Sequence, residues 1–415
     1  MDKLLIKNIG LLATPTGASA RCGSDQGSVL IRKGAWILIE GETIASVGQG
    51  NPPRGLPVLD AEGALVTPGL VDAHTHLVFG GWRQNELGLK LHGASYLDIL
   101  ASGGGILSTV RATREASFDE LYEKAESALN EMLSFGVTTA EAKSGYGLDL
   151  DTEIRQMEVV RKLNETHPMD LASTYLGAHA VPEEYKHDRG AYIRFLCDTA
   201  IPLVAERKLA SFCDVFCEKG VFTAEESRQI LETGKRYGLI PKIHADEIEP
   251  IGGTELTNKI GAISAEHLIV CRKSGIEALK KGGTVACLLP ATSFYLGSTY
   301  APARDMIDAG VPVACATDFN PGSCPSLNIQ LVMNLACLKY RLTPEEMLTA
   351  VTLNGAAAIG MADRTGSLEP GKQADLVLWN APDLDYLGYR MGSNLVRTVI
   401  KKGKVQRLNK EGFSK

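Results

Sequence analysis

Hydrophobic and polar positions alternate over short stretches near the start of the chain. Between residues 3 and 64, the runs LLIKNI, SVLIRK, AWILIE and TIASVG are interrupted by Gly34, Gly41 and Gly48. A period of two broken by glycine is typical of β-hairpins rather than of helices. This stretch therefore predicts a small sheet unit.

From Leu65 the pattern changes to apolar strands that alternate with amphipathic helices, which is the form of repeated βα units with a parallel sheet. Helices fit between most strands, for example over residues 117–136, 152–167 and 223–238. Eight βα units in about 250 residues predict a (β/α)8 barrel, whose active site lies at the C-terminal ends of the strands. The eight predicted strands begin near Leu65, Val137, Leu171, Phe212, Pro241, Ser264, Thr284 and Pro312.

Composition narrows the class of partner. The chain has 415 residues and a net charge of −6, with no run of lysine or arginine, which argues against a nucleic-acid or anionic-membrane surface and for a small-molecule partner.

No apolar run reaches the roughly 18 to 20 residues that span a bilayer, and the N-terminus does not resemble a signal peptide, so a cytoplasmic protein is expected. The nine cysteines, without a C-x-x-C pair, indicate reduced core residues.

Histidines cluster at the ends of the predicted strands. Of eight histidines in the chain, His74, His76, His179, His244 and His267 follow strands one, three, five and six. Side chains alternate along a strand, so His74 and His76 point the same way and could bind one divalent metal ion. Two ordinary polar residues leaving a strand would explain a bare H-x-H equally well.

The string PGLVDAHTHL around this pair resembles the first-strand signature of the amidohydrolase superfamily of metal-dependent hydrolases, and GSLEPGKQADLVL resembles the segment in which its small sheet resumes. The resemblance implies an α/β fold, with a metal-dependent (β/α)8 TIM-like barrel beside a small β-sandwich built from both chain ends. We expect the N-terminal part of the sandwich over residues 1–64, the barrel over 65–363 and the C-terminal part over 364–415.

A metal ion needs further ligands, and His244 in PKIHADE and Asp318 in ATDFNPG both close apolar strands. Together with His74 and His76 they would supply three imidazoles and one carboxylate and leave an open position for water, as in catalytic metal sites. Zinc is the first choice for this one ion per chain, and iron accepts the same ligands. A second metal bridged by a carboxylated Lys143 is the less favoured alternative, because a solvated or structural lysine explains this position.

Proton transfer would involve residues near the C-terminal ends of the same strands. Glu247 lies three residues after His244 and could carry the proton, although a solvated loop acid is the alternative. His267 could bind a substrate oxygen or steer the attacking water, or it could simply be buried under a loop. Asp318 could serve both as ligand and as proton acceptor.

Several strings together resemble one group within the superfamily, notably HTHLVFGGWRQNE, EAKSGYGL, IHADE and ATDFNPGSCPS. These hydrolases open the lactam ring of 4-imidazolone-5-propanoate, a step of histidine degradation. Arg83 and Tyr146 could instead be surface-loop residues, and Asn320, Gly322 and Ser323 could simply form a turn. The resemblance implies substrate contacts by Arg83, Tyr146, His179, Glu247, Asn320, Gly322 and Ser323.

Two other functions remain open. A related mononuclear amidohydrolase could deaminate a nucleobase or a guanidino compound, and ammonia release would identify it. A metal-free scaffold on the same barrel is the remote alternative, against which the intact ligand set argues. The sequence also leaves the assembly open, with a homodimer among the candidates.

Overall fold

The computed structural model describes residues 3–93 and 104–406, which form two eight-stranded sheets. In these ranges, none of the helices has the length and apolar character required to cross a membrane.

The first sheet is mixed and joins the two ends of the chain. Strand Leu376–Trp379 near the C-terminus pairs antiparallel with Leu65–Pro68, which in turn pairs parallel with Lys3–Thr14, so the predicted union of the chain ends in one small unit is confirmed. Its core includes Ile6, Ile37 and Leu376. The strands of this sheet are β1 Lys3–Thr14, β2 Leu30–Glu40, β3 Thr43–Gln49, β4 Val58–Asp60, β5 Leu65–Pro68, β14 Leu376–Trp379, β15 Val396–Lys401 and β16 Lys404–Val405.

The second sheet is the predicted parallel barrel, in which each strand pairs with the next in the chain. Backbone hydrogen bonds from Asp318 N to His74 O (3.0 Å) and from His76 N to Phe319 O (2.9 Å) link the last strand to the first. Its strands are β6 Leu70–Asp72, β7 Val137–Lys143, β8 Asp170–Ala178, β9 Phe212–Cys217, β10 Ile240–Ala245, β11 Ser264–His267, β12 Val285–Leu288 and β13 Val313–Cys315.

Helices surround the barrel, and several of them begin with a side-chain N-cap. The capping boxes expected at Ser117 with Glu120 and at Thr223 with Glu226 are both present. The α-helices cover Asn85–Leu91, Ile106–Glu115, Phe118–Ser134, Leu150–Thr166, Arg189–Phe195, Ile201–Glu206, Ala224–Arg236, Gly253–Ile260, Lys273–Gly282, Pro290–Leu296, Ala303–Ala309, Ile329–Tyr340, Pro344–Ala350, Leu353–Ala358 and Leu384–Tyr389.

The first barrel strand begins later than the apolar run suggested. Leu65–Pro68 belongs to the small sheet, and the chain enters the barrel only at Leu70. At the junction, Gly69 donates its N–H to Asp375 O at 2.9 Å, and a Cβ there would lie 2.3 Å from the hydroxyl oxygen of Thr138. A glycine is therefore required where the run changes sheets. The expected domain boundaries at 64/65 and 363/364 stay predictions.

Candidate active site

The C-terminal ends of the barrel strands surround a cleft of about 950 Å³. Every site residue predicted above lines this cleft except His74, which is fully buried beneath it. Residues scattered over 250 positions of sequence are thus brought to one place by the order of the strands, as a barrel requires.

His74, His76 and Asp318 form one group of possible metal ligands. Oδ1 of Asp318 lies 3.4 Å from Nε2 of His74 and 3.6 Å from Nε2 of His76. The other carboxylate oxygen, Oδ2, accepts a hydrogen bond from the Thr292 hydroxyl at 2.7 Å. Thr292 therefore fixes the rotation of the carboxylate so that Oδ1 faces the two imidazoles.

His244 lies against the same group, with its ring centre 4.7 Å from that of His74. Its Nδ1 is 3.0 Å from Oδ2 of Asp214, a carboxylate buried inside the barrel. A carboxylate beside Nδ1 favours the tautomer that leaves Nε2 unprotonated, which is how ligand histidines are oriented in many metal sites. Nε2 of His244 is buried and has no hydrogen-bond partner.

The chemistry of this donor set fits a metal ion. Nε2 of His74 and Nε2 of His244 are buried without hydrogen-bond partners, which is costly unless something else binds there. Burial holds the pKa of His74 and His76 well below the ordinary range and lowers that of His244 to about 3. The rings are therefore neutral at pH 7, which is the form that binds metals. A metal cofactor is supported.

Lys143 is fully buried, so the solvated interpretation of this residue was wrong and the structural one describes its surroundings. Its ammonium lies 2.7 Å from Oδ2 of Asp214 and 3.0 Å from Oε2 of Glu141. Burial alone would lower the pKa of Lys143, but the carboxylates of Asp214, Glu141 and Glu266 raise it above its usual value. A lysine kept charged in this way is a poor substrate for carboxylation, which favours a single metal ion.

Glu247 stands at the wall of the cleft, where its side chain is 16% exposed and its Oε2 lies 3.8 Å from Nε2 of His267. Burial, together with the nearby carboxylate of Glu218, raises the pKa of Glu247 to about 7. The Glu218 carboxylate is itself held by the backbone N–H groups of Lys219, Ile248 and Glu249, at 2.8 to 3.0 Å. A group with a pKa near neutrality can both accept and donate a proton at pH 7.

Tyr146 and His179 contribute another part of the wall of the cleft. Their rings are 5.3 Å apart, and that of His179 stacks on His76 at 4.9 Å. Nδ1 of His179 donates to Gly145 O at 2.9 Å, which leaves its Nε2 for other partners. The loop carrying Tyr146 is held by buried Glu153, whose carboxylate accepts the N–H groups of Gly145, Gly147 and Leu148.

The Asn320, Gly322 and Ser323 group forms a turn, as the sequence allowed. Oδ1 of Asn320 accepts the N–H groups of Gly322 and Ser323, both at 2.8 Å, and its Nδ2 donates to Asp318 O at 2.7 Å. The Asn320 amide is thus occupied in holding the turn beside the candidate ligand Asp318. Direct contacts of these three residues with a substrate stay predictions.

Sequence reasoning missed the charged residues beneath the cleft. Lys242 lies 2.9 Å from Oε1 of Glu141 and 3.5 Å from Oε1 of Glu266, and all of these side chains are fully buried. With Lys143 and Asp214 they form a network of two cations and three carboxylates inside the barrel. Charged residues in otherwise apolar strands, such as Asp214 in FCDVFC, were the signal that could have identified them.

The comparisons with known proteins agree with this geometry. The model of the amidohydrolase family matches residues 65–406, and the chain belongs to that family. Two similar proteins, both named imidazolonepropionase, come from Alkaliphilus metalliredigens strain QYMF, at 52% identity, and Geobacillus kaustophilus strain HTA426, at 50%. Each alignment covers 98% of this chain and 98% of the relative. The resemblance to this group is confirmed.

Solved structures share the fold at much lower identity. A guanine deaminase from E. coli has a TM-score of 0.74 at 17% identity and covers 98% of this chain and 99% of its own. An adenosine deaminase from Xanthomonas campestris with bound zinc has a TM-score of 0.73 at 18% identity, over 97% and 92%. These likenesses confirm the barrel with its attached sheet.

Proposed function

We propose that the protein hydrolyses the lactam C–N bond of 4-imidazolone-5-propanoate to give N-formimino-L-glutamate. The observation that supports this most directly is the composition of this cleft: buried, unpartnered imidazoles at its base, Glu247 on one wall and Arg83 on another. Relatives named imidazolonepropionase align over almost the whole chain. Deamination of another ring compound is not favoured.

We assign His74, His76, His244 and Asp318 as ligands of one metal ion per chain. Such an ion, when bound, polarises a carbonyl oxygen and activates water for attack. Zinc is our first choice, since nitrogen and oxygen donors of this kind suit it, and iron accepts the same set. Thr292 orients the carboxylate of Asp318, and Asp214 orients the ring of His244. The lone pairs of these two proposed ligands are therefore available at the base of the cleft.

Glu247 is the proton carrier in this proposal. With its pKa near 7 it takes a proton from the attacking water and gives it to the ring nitrogen as the C–N bond breaks. His267, 3.8 Å away, would donate a hydrogen bond to the carbonyl oxygen as negative charge develops there. Asp318, the carboxylate among the proposed ligands, is the second candidate for accepting the proton.

The propionate tail would lie toward Arg83, with Tyr146 beside it and His179 against the ring. A guanidinium binds a carboxylate through two hydrogen bonds of fixed geometry, which a neutral tail cannot reproduce. Asn320, Gly322 and Ser323 would form the floor on that side.

The test is to follow the loss of imidazolonepropionate absorbance after adding the purified, metal-loaded protein, and to measure ammonia release from a panel of nucleobases in parallel. We expect turnover of the first compound and no ammonia from the others. His244→Ala should lose both metal and turnover while its far-UV circular dichroism stays that of a folded barrel. Ammonia release without ring opening would contradict the proposal and identify a deaminase.

A further inference from the structure

Arg83 is already paired with a carboxylate of its own chain. Its Nε lies 3.1 Å from both carboxylate oxygens of Glu86, and its Nη2 lies 3.0 Å from Oε2. The two side chains are only 12% and 3% exposed. Glu86 therefore occupies the edge of the guanidinium that Nε and Nη2 form.

Glu86 is also held from a second element. Its Oε1 accepts the backbone N–H of Gly105 at 2.7 Å, and Gly105 directly precedes the helix Ile106–Glu115. The carboxylate is thus fixed between the helix Asn85–Leu91, which carries Glu86, and the start of the helix Ile106–Glu115. Because both anchors are part of the folded scaffold, Arg83 has little freedom to rotate.

The second edge of the guanidinium, formed by Nη1 and Nη2, lies against Gly322. A Cβ added at Gly322 would be 2.2 Å from Nη1 of Arg83, so only a residue without a side chain permits this approach. Arg83, Glu86 and Gly322 all line the cleft. The position of Arg83 is therefore set by the carboxylate of Glu86 on one side and by the close approach of Gly322 on the other.

We propose that Glu86 is a specificity-determining positioning residue, which directs the Nη1 and Nη2 edge of Arg83 toward the carboxylate tail of the substrate beside Gly322. The inference rests on the proposed function and extends it to how the tail is read. Arginine has five donors in a rigid plane, so one carboxylate can hold it while another binds the opposite edge. Because Glu86 neutralises much of the local charge, recognition depends on direction more than on general attraction for anions.

The experiment measures binding and turnover separately. Dissociation constants are determined by calorimetry for 3-(imidazol-4-yl)propanoate, which has the same tail on a ring without a lactam, and KM and kcat are determined for 4-imidazolone-5-propanoate. Arg83→Ala should weaken both binding and kcat/KM by about 10- to 100-fold. Glu86→Gln should raise Kd and KM by about tenfold, with a smaller change in kcat and unchanged metal content.

Two further variants separate positioning from a general structural effect. Gly322→Ala forces Arg83 to move without touching Glu86, and should raise Kd and KM in the same way. Glu115→Gln, at an exposed position at the end of the helix that follows Gly105, is the matched control and should match the wild type. In an Arg83→Ala background, Glu86→Gln should have almost no additional effect, because its role passes through Arg83.

The outcomes distinguish this inference from the proposed function. If Arg83→Ala weakens binding of the probe while Glu86→Gln and Gly322→Ala do not, the inference is wrong. An equal loss from Glu86→Gln with and without Arg83 would likewise show that Glu86 merely holds the loop. A wild type that binds the probe in the expected pattern but does not open the imidazolone ring would refute the proposed function and leave the positioning role standing.

Discussion

Replacing Asp214 by Asn should weaken metal binding, although Asp214 is not one of the proposed ligands. Its Oδ2 lies 3.0 Å from Nδ1 of His244 and 2.7 Å from the ammonium of Lys143. The neutral amide removes the negative charge that stabilises the N–H of His244. It can also turn its NH₂ group toward Nδ1, which would favour the tautomer with the proton on Nε2, where the metal would bind.

The expected size follows from what such partners contribute. Loss of a residue that orients a ligand histidine typically costs 10- to 100-fold in metal affinity. That range corresponds to about 1.4 to 2.7 kcal/mol of binding free energy. Competition with a chromophoric chelator, at a temperature where both apoproteins are folded, measures the difference directly.

Glu141→Gln is the matched control for this measurement. Glu141 pairs with the same Lys143, at 3.0 Å, so its replacement disturbs the same buried ion pair, but no predicted ligand histidine is among its ion-pair or side-chain hydrogen-bond partners in the described parts of the chain. Both variants should lower the melting temperature, because removing one member of a buried pair leaves an uncompensated charge. Only Asp214→Asn should also lower metal affinity. If the two variants bind metal equally, or if Asp214→Asn stays within threefold of the wild type, the orienting role of Asp214 is refuted.

Three further predictions concern proton transfer and stability. Glu247→Gln should lower kcat by about 10²- to 10⁴-fold with unchanged metal content, and an effect of only a few-fold would move the proton to Asp318 or His267. Glu218→Gln removes a negative charge that raises the pKa of Glu247, so the acidic limb of the kcat/KM profile should shift to lower pH, and an unmoved limb would contradict this. Asp170 is desolvated, yet Lys401 and Lys402 lower its pKa to about 2, so it contributes stability above its unfolded pKa near 4 that is lost as the pH falls toward 2. Asp170→Asn should therefore cost about 2 kcal/mol in urea unfolding at pH 7 and little near pH 2, whereas an equal loss at both would refute the charge argument.

The sequence was sufficient for the barrel because its strands and helices differ in period. Seven of the eight barrel strands begin within one residue of the predicted start. The exception is the first strand: residues 65–72 form a mostly apolar stretch, and nothing in its hydrophobicity shows that Leu65–Pro68 pairs with β14 while Leu70–Asp72 pairs with β7. Hydrophobicity reports burial, and both halves of this run are buried.

The charged network beneath the site could not be predicted in the same way. Lys143 and Asp214 are 71 positions apart and lie on strands β7 and β9, which are not hydrogen-bonded neighbours. A lysine near a strand end is ordinarily solvated, and only the closed barrel places its ammonium next to two carboxylates. The pairing of Glu86 with Arg83 has the i,i+3 spacing, but its second partner, the N–H of Gly105, is 19 positions away and is not indicated by the sequence.

Backbone conformation at the strand ends also helps to orient the side chains of the site. Asp246, His267 and Asp318 have φ angles of 52°, 69° and 57°, a left-handed conformation that non-glycine residues rarely adopt. All three lie at or just after the C-terminal ends of barrel strands, and such strain costs on the order of 1 to 3 kcal/mol for each residue. The conformation persists because surrounding bonds hold it, such as those from Thr254 to Asp246 at 2.6 Å and from Thr292 to Asp318 at 2.7 Å. The side chains at these strand ends are therefore oriented by the folded chain before any ion or substrate binds. This prior orientation lowers the entropic cost of binding.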